Sequence, residues 1–374
     1  MNVVYTFSFG NSLKTWDKSG SLEREFFYFE KFFNKYEAKF TLITYGDEED
    51  KKYIENKEYI TVIPLYEYFR KSDYKIITFI QSCIFPFKIK NRLKHVDVIK
   101  QNQLHGSWVS ILLKLIVKKP LYTRTGFDIY IFSKNEKKKI YKRFGFYILT
   151  QINLLISNLY SVTSYSDFDF IKQKYFVNKS NFVYRPNWVL IRDSNNLQEH
   201  TVSKTLLSIG RLEKQKNYEF LIKALEGTGF ALNIIGSGSK KNILLQLAAK
   251  HNVDLKIIDN QNYFDLLEIM KKYKFFILPS NFEGNPKVLL EAMSFGMVCL
   301  VSNISNHKEI ITNKKNGFIF DHDSVESVRE SLKELTNTDT CIKISEKAFD
   351  KVKSDFSISN LMKVEYQDYK KLIL

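Results

Sequence analysis

The feature that most constrains the fold is an alternation of short β-branched or aromatic runs with longer helical patterns, which occurs twice along the chain. In the first half, "NVVYTFSF" predicts a strand, "SLEREFFYFEKFFNKY" an amphipathic helix and "KFTLITYG" the next strand. The second half repeats this order from "TLLSIGRL" to "VCLVS". Strands separated by helices form βαβ units, so we expect an α/β protein with two doubly wound, Rossmann-like parallel-sheet domains. Ligands of such sheets bind beyond the carboxyl ends of the strands, and the expected site is the cleft between the two domains.

The length of 374 residues suits two domains, and the 44% of hydrophobic residues argues against disorder. A polar stretch that includes a proline, "RPNWVLIRDSNNLQEHTVSK", separates the two series, so we place a linker near 191–204 and domains at 1–195 and 196–374.

The three cysteines lack CxxC spacing and the six histidines lack an HExxH pattern. We therefore expect no disulfide framework, no protein-bound metal and no cofactor. The start, "MNVVYTFSFG", predicts no signal peptide, and a cytoplasmic protein is expected.

The net charge of +16 is unevenly distributed, with 10 basic and 2 acidic residues in 101–150. Such an excess suits an anionic partner, namely a phospholipid, a phosphorylated substrate or a nucleic acid. An ordinary solvated surface in a lysine-rich proteome would look the same. The chain carries no RRM, KH, zinc-finger or helix-turn-helix pattern, so no nucleic-acid partner is expected.

One stretch, "FGFYILTQINLLISNLYSV" at 144–162, is uncharged and nearly long enough to span a bilayer. Gln151, Asn153, Ser157 and Asn158 interrupt it, and each would be costly in hydrocarbon. We therefore predict a buried helix followed by a strand.

Two glutamates stand out in the stretch 280–302. Glu283 follows the apolar strand "FFILPS", and Pro286 stands where a helix prefers its first residue. The amides of a helix start attract phosphate, and Gly284 lets the backbone approach a ligand closely. Glu291 falls in the second helical turn, where a carboxylate can accept hydrogen bonds from the hydroxyls of a ribose. Taken alone, this spacing also fits a loop acid and a structural carboxylate.

A second cluster lies at "LLSIGRLEKQKN", where a strand ends at Gly210 and is followed by Arg211 and Lys216. Arg211 offers a planar fork and Lys216 a point charge, and together they would neutralise a diphosphate. Ordinary loop cations are the competing interpretation. "IIGSGSKK", with Gly236, ends another strand and is a weak motif by itself.

These ordered motifs, together with "NGFIFD" and the terminal "FSISNLMKVEYQDYKKLIL", resemble the C-terminal donor domain of retaining GT-B glycosyltransferases, family four. The resemblance covers roughly residues 203–374. It implies that Glu283 holds the donor sugar, that Glu291 binds the ribose and that Arg211 and Lys216 bind the diphosphate. It also implies that a last helix at about 356–374 packs back on the N-terminal domain. The further donor-binding residues that it implies are Gly210, Gly236, Gly284, Asn285, Pro286, Lys287 and Val288.

The N-terminal half is less similar to the family. Gly20 in "WDKSGSLEREFF" stands for the glycine-rich loop that follows the first strand in the family, and His105 resembles a position near the donor sugar. An equally good interpretation of His105 is a structural histidine that opens a helix or lies in the core. In "YTRTGFD" the chain has Thr125 where the family often carries a histidine, which leaves Arg124 and Asp128 as acceptor-side candidates.

The resemblance implies transfer of a sugar from a nucleoside-diphosphate sugar with retention of anomeric configuration, without a metal. Glycosidic chemistry also allows a covalent glycosyl-Glu283, but the family is described by front-face attack, so we expect no nucleophile there. The basic run "KNEKKKIYKR" beside aromatic residues suggests a peripheral enzyme at an anionic membrane, acting on a glycan or a lipid-linked acceptor as in bacterial surface polysaccharide assembly. The alternatives are a GT-B nucleotide-sugar epimerase and a non-catalytic sugar-nucleotide binder.

Overall fold

The described part of the chain, residues 1–191 and 202–374 of a computed structural model, forms two compact units. Unit 1 comprises Met1–Arg185 with Met362–Leu374, and unit 2 comprises Pro186–Leu361. The predicted domain boundary after residue 195 lies outside the described residues, and so does most of the predicted linker at 191–204.

The described strands of unit 1 form one parallel sheet. They are β1 (Asn2–Thr6), β2 (Lys39–Thr44), β3 (Ile60–Pro64), β4 (Val98–Asn102), β5 (Leu121–Thr125), β6 (Leu159–Val162) and β7 (Phe182–Tyr184). Their spatial order is β3-β2-β1-β4-β5-β6-β7. The chain therefore builds the sheet outward from β1 to β3, and then returns to the other side of β1 with β4. This reversal leaves the loops after β1 and β4 side by side.

Helices cover both faces of this sheet. Those of the first 185 residues are α1 (Leu13–Lys18), α2 (Leu22–Tyr36), α3 (Lys75–Ile89), α4 (Ser107–Val117), α5 (Ile129–Asn135), α6 (Ile140–Ile156) and α7 (Tyr165–Lys174). The α2 helix has apolar residues at helical spacing, and Phe26, Phe29 and Phe32 are buried. Acidic residues in its first turn and Lys35 in its last complement the helix dipole.

Unit 2 repeats the plan with strands β8 (Val202–Ile209), β9 (Ala231–Ile235), β10 (Leu255–Ile258), β11 (Tyr273–Leu278), β12 (Val298–Ser302) and β13 (Phe318–Phe320). The parallel order in the described part is β10-β9-β8-β11-β12-β13, and here the reversal falls between β8 and β11. The helices are α8 (Tyr218–Leu225), α9 (Lys241–Lys250), α10 (Tyr263–Met270), α11 (Lys287–Ser294), α12 (Ser305–Lys308), α13 (Val325–Glu334) and α14 (Thr338–Asp355). One core packs α8, α9 and α13 against the sheet, and another packs α10, α11 and α14.

The predicted helix and strand at 144–162 are confirmed, since α6 and β6 occupy this stretch. The prediction that the helix is buried is wrong for its outer face, where Phe144 and Leu155 are 63% and 68% exposed. Its inner face is formed in part by Thr150 and Asn153, which hydrogen-bond inside the unit. Among the described residues, no helix combines the length and the apolar character needed to cross a bilayer.

The last helix, α15 (Ile358–Ile373), ends within unit 1, and a buried ion pair joins it to the sheet. Lys100 on β4 forms a salt bridge with Glu365, and the two side chains are 5% and 13% exposed. Burial alone would raise the pKa of Glu365, but the Lys100 ammonium and its hydrogen bond bring that pKa below its ordinary value. Four tyrosine rings surround the Lys100 ammonium at 5.6–5.9 Å, those of Tyr5, Tyr28, Tyr122 and Tyr369.

Replacing Glu365 with Gln should lower the free energy of unfolding of unit 1 by about 3 kcal/mol, because it leaves a buried ammonium without its counter-charge. Urea denaturation followed by tyrosine and tryptophan fluorescence measures this change. The matched control is Glu49→Gln, which breaks the Lys14–Glu49 pair of 2.7 Å between half-exposed side chains and should have far less effect. Equal effects of the two substitutions would contradict the role given to burial.

Candidate functional site

The loops that follow β8 and β11 lie side by side in unit 2, because these strands are neighbours where the strand order reverses. Backbone and side-chain hydrogen bonds join them. Asn281 N donates to Gln215 O at 2.8 Å, and Gln215 Nε2 donates to Phe282 O at 2.8 Å. Ligands of open parallel sheets bind at such reversals, so this pair of loops is the candidate site of unit 2.

A buried ion pair lies between these two loops. Lys216 Nζ is 2.6 Å from Glu283 Oε1, and each side chain is 10% exposed. Burial alone would raise the pKa of Glu283, but the Lys216 ammonium and the hydrogen bond from it bring that pKa below its ordinary value. Glu283 is therefore a carboxylate at neutral pH, and it is aligned by a cation that lies 67 residues earlier in the chain.

The glycines near this pair make room for neighbouring atoms. A Cβ on Gly210 would lie 2.7 Å from Lys216 Cε, and a Cβ on Gly236 would lie 2.0 Å from Gly210 O. A Cβ on Gly238 would likewise lie 2.6 Å from Leu212 O. The loop after β9 is thus packed backbone to backbone on the loop that carries Lys216, and this close approach requires glycine.

The start of α11 completes the site. Pro286 is the N-cap residue and provides no side-chain hydrogen bond to the first turn. The preceding Asn285 is held by Asn187, whose Nδ2 donates to Asn285 O at 2.6 Å and whose backbone N donates to Asn285 Oδ1 at 3.1 Å. Glu291 lies in the second turn, as expected, and is 3% exposed. Of the other residues expected at the donor, Gly284 is buried, and Lys287 and Val288, in the first turn of α11, are half-buried.

Arg211 lies in the same loop as Lys216 but is exposed. One of its Nη atoms donates to Gln215 Oε1 at 3.1 Å, so the guanidinium is linked to the residue that joins the two loops. The structure therefore brings Lys216 and Glu283 into direct contact and leaves Arg211 at the surface beside them.

A buried histidine near this site was missed at the level of sequence. His307 of α12 is fully buried, and burial lowers its pKa to about 4, so the ring is neutral. Its Nδ1 lies 3.0 Å from Ser302 O and is assigned as the donor, while Nε2 meets no hydrogen-bond partner among the described residues. The stretch "SNISNHKEII" contains no spacing that would have singled it out.

His105 lies at the strand reversal of unit 1, directly before α4. Its carbonyl accepts a hydrogen bond from Phe9 N at 2.9 Å. The next residue, Gly106, has a φ of +104°, and a Cβ there would lie only 2.7 Å from Phe9 N. Burial, followed by the charges of Lys138 and Lys75, lowers the pKa of His105. The imidazole is therefore neutral at pH 7, and it faces the aromatic rings of Phe9, Trp108 and Phe146.

Gly20 does not lie in the loop after the first strand, contrary to the prediction. Gly20 follows α1, with its backbone N bonded to Asp17 O at 2.9 Å, whereas the loop directly after β1 is 7–12 and contains Gly10 at a φ of +81°. The apolar run "FSF" made the first strand look longer than it is, and this hid Gly10.

The two remaining acceptor-side candidates flank the end of β5. Arg124 is half-buried in the strand. Asp128 is 2% exposed and caps α5, because its Oδ1 accepts from Ile131 N at 2.8 Å. Its position therefore has a structural explanation. The described residues contain no group of three His, Cys, Asp or Glu side chains able to hold a metal ion.

Residues 191–351 match the family described as glycosyl transferases group 1. This part of the chain carries a glycosyl transferases group 1 domain. A relative from Campylobacter jejuni, N-acetylgalactosamine-N,N'-diacetylbacillosaminyl-diphospho-undecaprenol 4-alpha-N-acetylgalactosaminyltransferase, is 34% identical over 165 residues, which are 40% of this chain and 44% of that protein. The chain spans about half the length of curated relatives such as this one.

Solved structures resemble the whole chain. Sucrose-phosphate synthase from Thermosynechococcus elongatus has a TM-score of 0.83 at 13% identity and covers 100% of this chain and 99% of its own. Anabaena HepE in complex with UDP has a TM-score of 0.76 at 12% identity and covers 99% of this chain and 100% of its own. With the two parallel sheets, this likeness confirms the predicted GT-B fold class. The Lys216–Glu283 pair lies within the group 1 domain.

Replacing Gly236 with Ala should destabilise unit 2 by about 1–3 kcal/mol, since the added methyl group overlaps Gly210 O and the neighbouring loop has to move. Thermal and urea unfolding measure the change. Gly145→Ala is the control, because a Cβ there meets nothing within 4 Å and the position is helical, where Ala is favoured over Gly. A Gly236→Ala variant as stable as the wild type would refute the close approach of the two loops.

The carboxyl of Asp128 should make stability depend on pH. Burial raises its pKa to about 7, with Asp167 adding to the effect, so the folded state binds a proton that the unfolded state releases near pH 4. The stabilising contribution is complete below about pH 4 and is lost as the pH rises to about 7.

Asp128→Asn keeps the helix cap without the charge, and should therefore raise the unfolding temperature relative to wild type at pH 8 but not at pH 4. Asp128→Ala removes the cap and should be less stable than Asp128→Asn at both values. An unchanged difference between wild type and Asp128→Asn at the two pH values would show that this carboxyl does not titrate as described.

Proposed function

We propose that this chain is a retaining glycosyltransferase of family four, of the hexosyltransferase type, that transfers a sugar from a nucleoside-diphosphate sugar to a glycan or lipid-linked acceptor in bacterial surface polysaccharide assembly. The single observation that carries the proposal is the buried Lys216–Glu283 pair at the strand reversal of the group 1 domain. The Campylobacter relative, whose name includes a diphospho-undecaprenol acceptor, and the UDP complex of the structural neighbour support the substrate classes.

Lys216 has the chemistry to bind a departing diphosphate. Its ammonium has three N–H donors, and one of them donates to Glu283 Oε1 at 2.6 Å. The others are available for phosphate oxygens, and the N-terminal end of α11 adds partial positive charge. Arg211 supplies a planar fork from the exposed side of the same loop. Together these groups stabilise the leaving diphosphate without a metal.

Glu283 acts as an acceptor of hydrogen bonds from the donor sugar. Its low pKa keeps it ionised, and the salt bridge fixes the orientation of the carboxylate before the sugar arrives. Glu291, inside the helix, binds the ribose hydroxyls. With Glu283 engaged by Lys216, the reaction goes through front-face departure of the diphosphate rather than through a glycosyl-enzyme.

A thermal-shift panel of UDP-, GDP-, ADP- and dTDP-sugars in the presence of EDTA tests donor binding. A donor at ~100 times its dissociation constant should stabilise the protein by about 2.7 kcal/mol. With that donor, hydrolysis and transfer to a lipid-linked acceptor are followed by NMR, which also reports the anomeric configuration of the product. A non-catalytic binder would return the donor intact, and an epimerase would return its epimer.

Lys216→Met and Glu283→Gln should each lower kcat/KM about 10²–10³-fold, on the scale of a lost oxyanion donor. Lys214→Met, at an exposed position two residues before Lys216, is the matched control and should keep kcat/KM within about twofold of wild type. Thermal unfolding of each variant separates loss of fold from loss of chemistry. Wild-type turnover by a folded Lys216→Met variant would disprove the role of the pair.

A further inference from the structure

The α6 helix packs Leu154 into a core cluster of unit 1 but leaves much of its apolar surface exposed. Its inner face buries Thr150 and Asn153, and Asn153 Nδ2 donates to Ser107 Oγ at 2.8 Å and to Leu149 O at 2.8 Å. Its outer face carries an apolar stripe at intervals of three or four residues, with 38–68% of each side chain exposed: Tyr141, Phe144, Ile148, Ile152 and Leu155. A surface helix ordinarily turns its apolar stripe to the core.

The α3 helix is similar: Phe85 and Ile89 pack in the core, while other apolar residues of the helix are exposed. Thr78 and Ser82 face inward, and Ser82 Oγ accepts from Trp108 Nε1 at 2.8 Å. The outward stripe repeats the spacing seen on α6, with 45–64% of each side chain exposed: Ile76, Ile80, Ile84 and Phe87. On both helices, some polar residues thus occupy buried positions while several apolar residues remain exposed.

The two stripes belong to one layer of helices. The crossovers that contain α3, α4 and α6 run in the same direction along the sheet, so these helices lie on one face of it, with α4 in the middle. The Phe79 ring of α3 lies 5.0 Å from the Trp108 ring of α4, and Leu115 of α4 is itself 62% exposed. The α3–α4–α6 face therefore presents a broad apolar surface, which on a soluble domain marks an interaction site.

The charges around this face identify its partner. The segments 75–94, 107–119 and 134–156, which contain the three helices and their ends, hold 14 Lys and Arg and one acidic residue, Glu136. A second copy of the chain would set these cations against each other. Apolar side chains with a cationic border and almost no acids instead complement an anionic lipid surface, which offers hydrocarbon and negative headgroups together.

We propose that the α3–α4–α6 face docks on an anionic phospholipid bilayer. The stripes of α3 and α6 enter the boundary between headgroups and acyl chains, and the lysines near the helix ends bind lipid phosphates. The proposal rests on the proposed function in one respect: docking would place the enzyme where a lipid-linked acceptor resides. Docking itself is measured without donor or acceptor.

Flotation of the full chain with vesicles provides the test, using phosphatidylcholine with about one third phosphatidylglycerol, and phosphatidylcholine alone. The apolar variant is Phe144→Ser/Ile148→Ser/Leu155→Ser. Its matched control replaces three similarly exposed apolar residues of unit 2, as Ile243→Ser/Leu245→Ser/Phe264→Ser. The charge variant is Lys137→Glu/Lys138→Glu/Lys139→Glu, with Lys250→Glu/Lys256→Glu/Lys333→Glu as its control, all at exposed positions.

Wild type is expected to float with the anionic vesicles at low salt, and less at high salt or without phosphatidylglycerol. Both face variants should lose at least about tenfold in bound fraction, while both unit 2 controls float like wild type. Circular dichroism and the thermal shift caused by the stabilising donor are recorded for every variant. A face variant that keeps its fold and its donor shift but no longer floats supports docking through this face.

Three results would overturn the proposal. One is a wild type that stays in the soluble fraction at low salt, and another is an equal loss in the unit 2 controls. The third is a dimer, seen by light scattering, that the apolar variant converts to a monomer while flotation is unchanged, which would make the face a contact between copies. Flotation that depends on the face, in a protein that no donor stabilises, would support docking and count against the proposed function.

Discussion

The buried ion pair between Lys216 and Glu283 joins the two loops of the candidate site in unit 2. Removing two charges from water costs several kcal/mol per ion, and an isolated pair of this kind is a poor source of stability. The pair nevertheless lies where the strand order reverses. Glycines allow the neighbouring loops to approach closely there, and Gln215 hydrogen-bonds from one loop to the other. The value of the ion pair is therefore positional. The salt bridge holds the two side chains in fixed positions at the point where the strand order reverses.

Unit 1 uses buried polar groups in a different way. On the α3–α4–α6 face, Thr, Ser and Asn side chains hydrogen-bond within the layer of helices, while part of the apolar surface of α3 and α6 stays exposed. Satisfying these polar groups inside costs little, whereas the exposed apolar stripes lose the stabilisation that burial would have given. A bilayer would restore that stabilisation. On the proposed docking, the residue pattern that weakens the isolated domain would stabilise it at a lipid surface.

Much of the fold could be predicted from the alternation of strand and helix patterns, because period and length are local properties. The Glu283–Glu291 spacing and the loop of Arg211 and Lys216 were also visible, as each lies within one motif. The salt bridge itself was not, since its partners are 67 residues apart and only the strand order brings them together. Gly10 was hidden by the aromatic residues beside it. The exposure of α6 was missed because apolar content does not tell which face of a helix points to the sheet.

The Lys100–Glu365 pair extends this reasoning to the end of the chain. An apolar pair would hold α15 to the sheet at least as well, so stability alone does not explain an ammonium enclosed by four tyrosines. A charged pair does, however, accept only one register. If α15 moved by one turn, it would leave Lys100 unpaired, whereas apolar side chains would tolerate the shift. Arg185 forms a second ion pair with α15, in which it donates two hydrogen bonds of 2.7 and 2.8 Å to Asp368. Two ion pairs on one face of α15, three residues apart, thus fix its position along the sheet of unit 1.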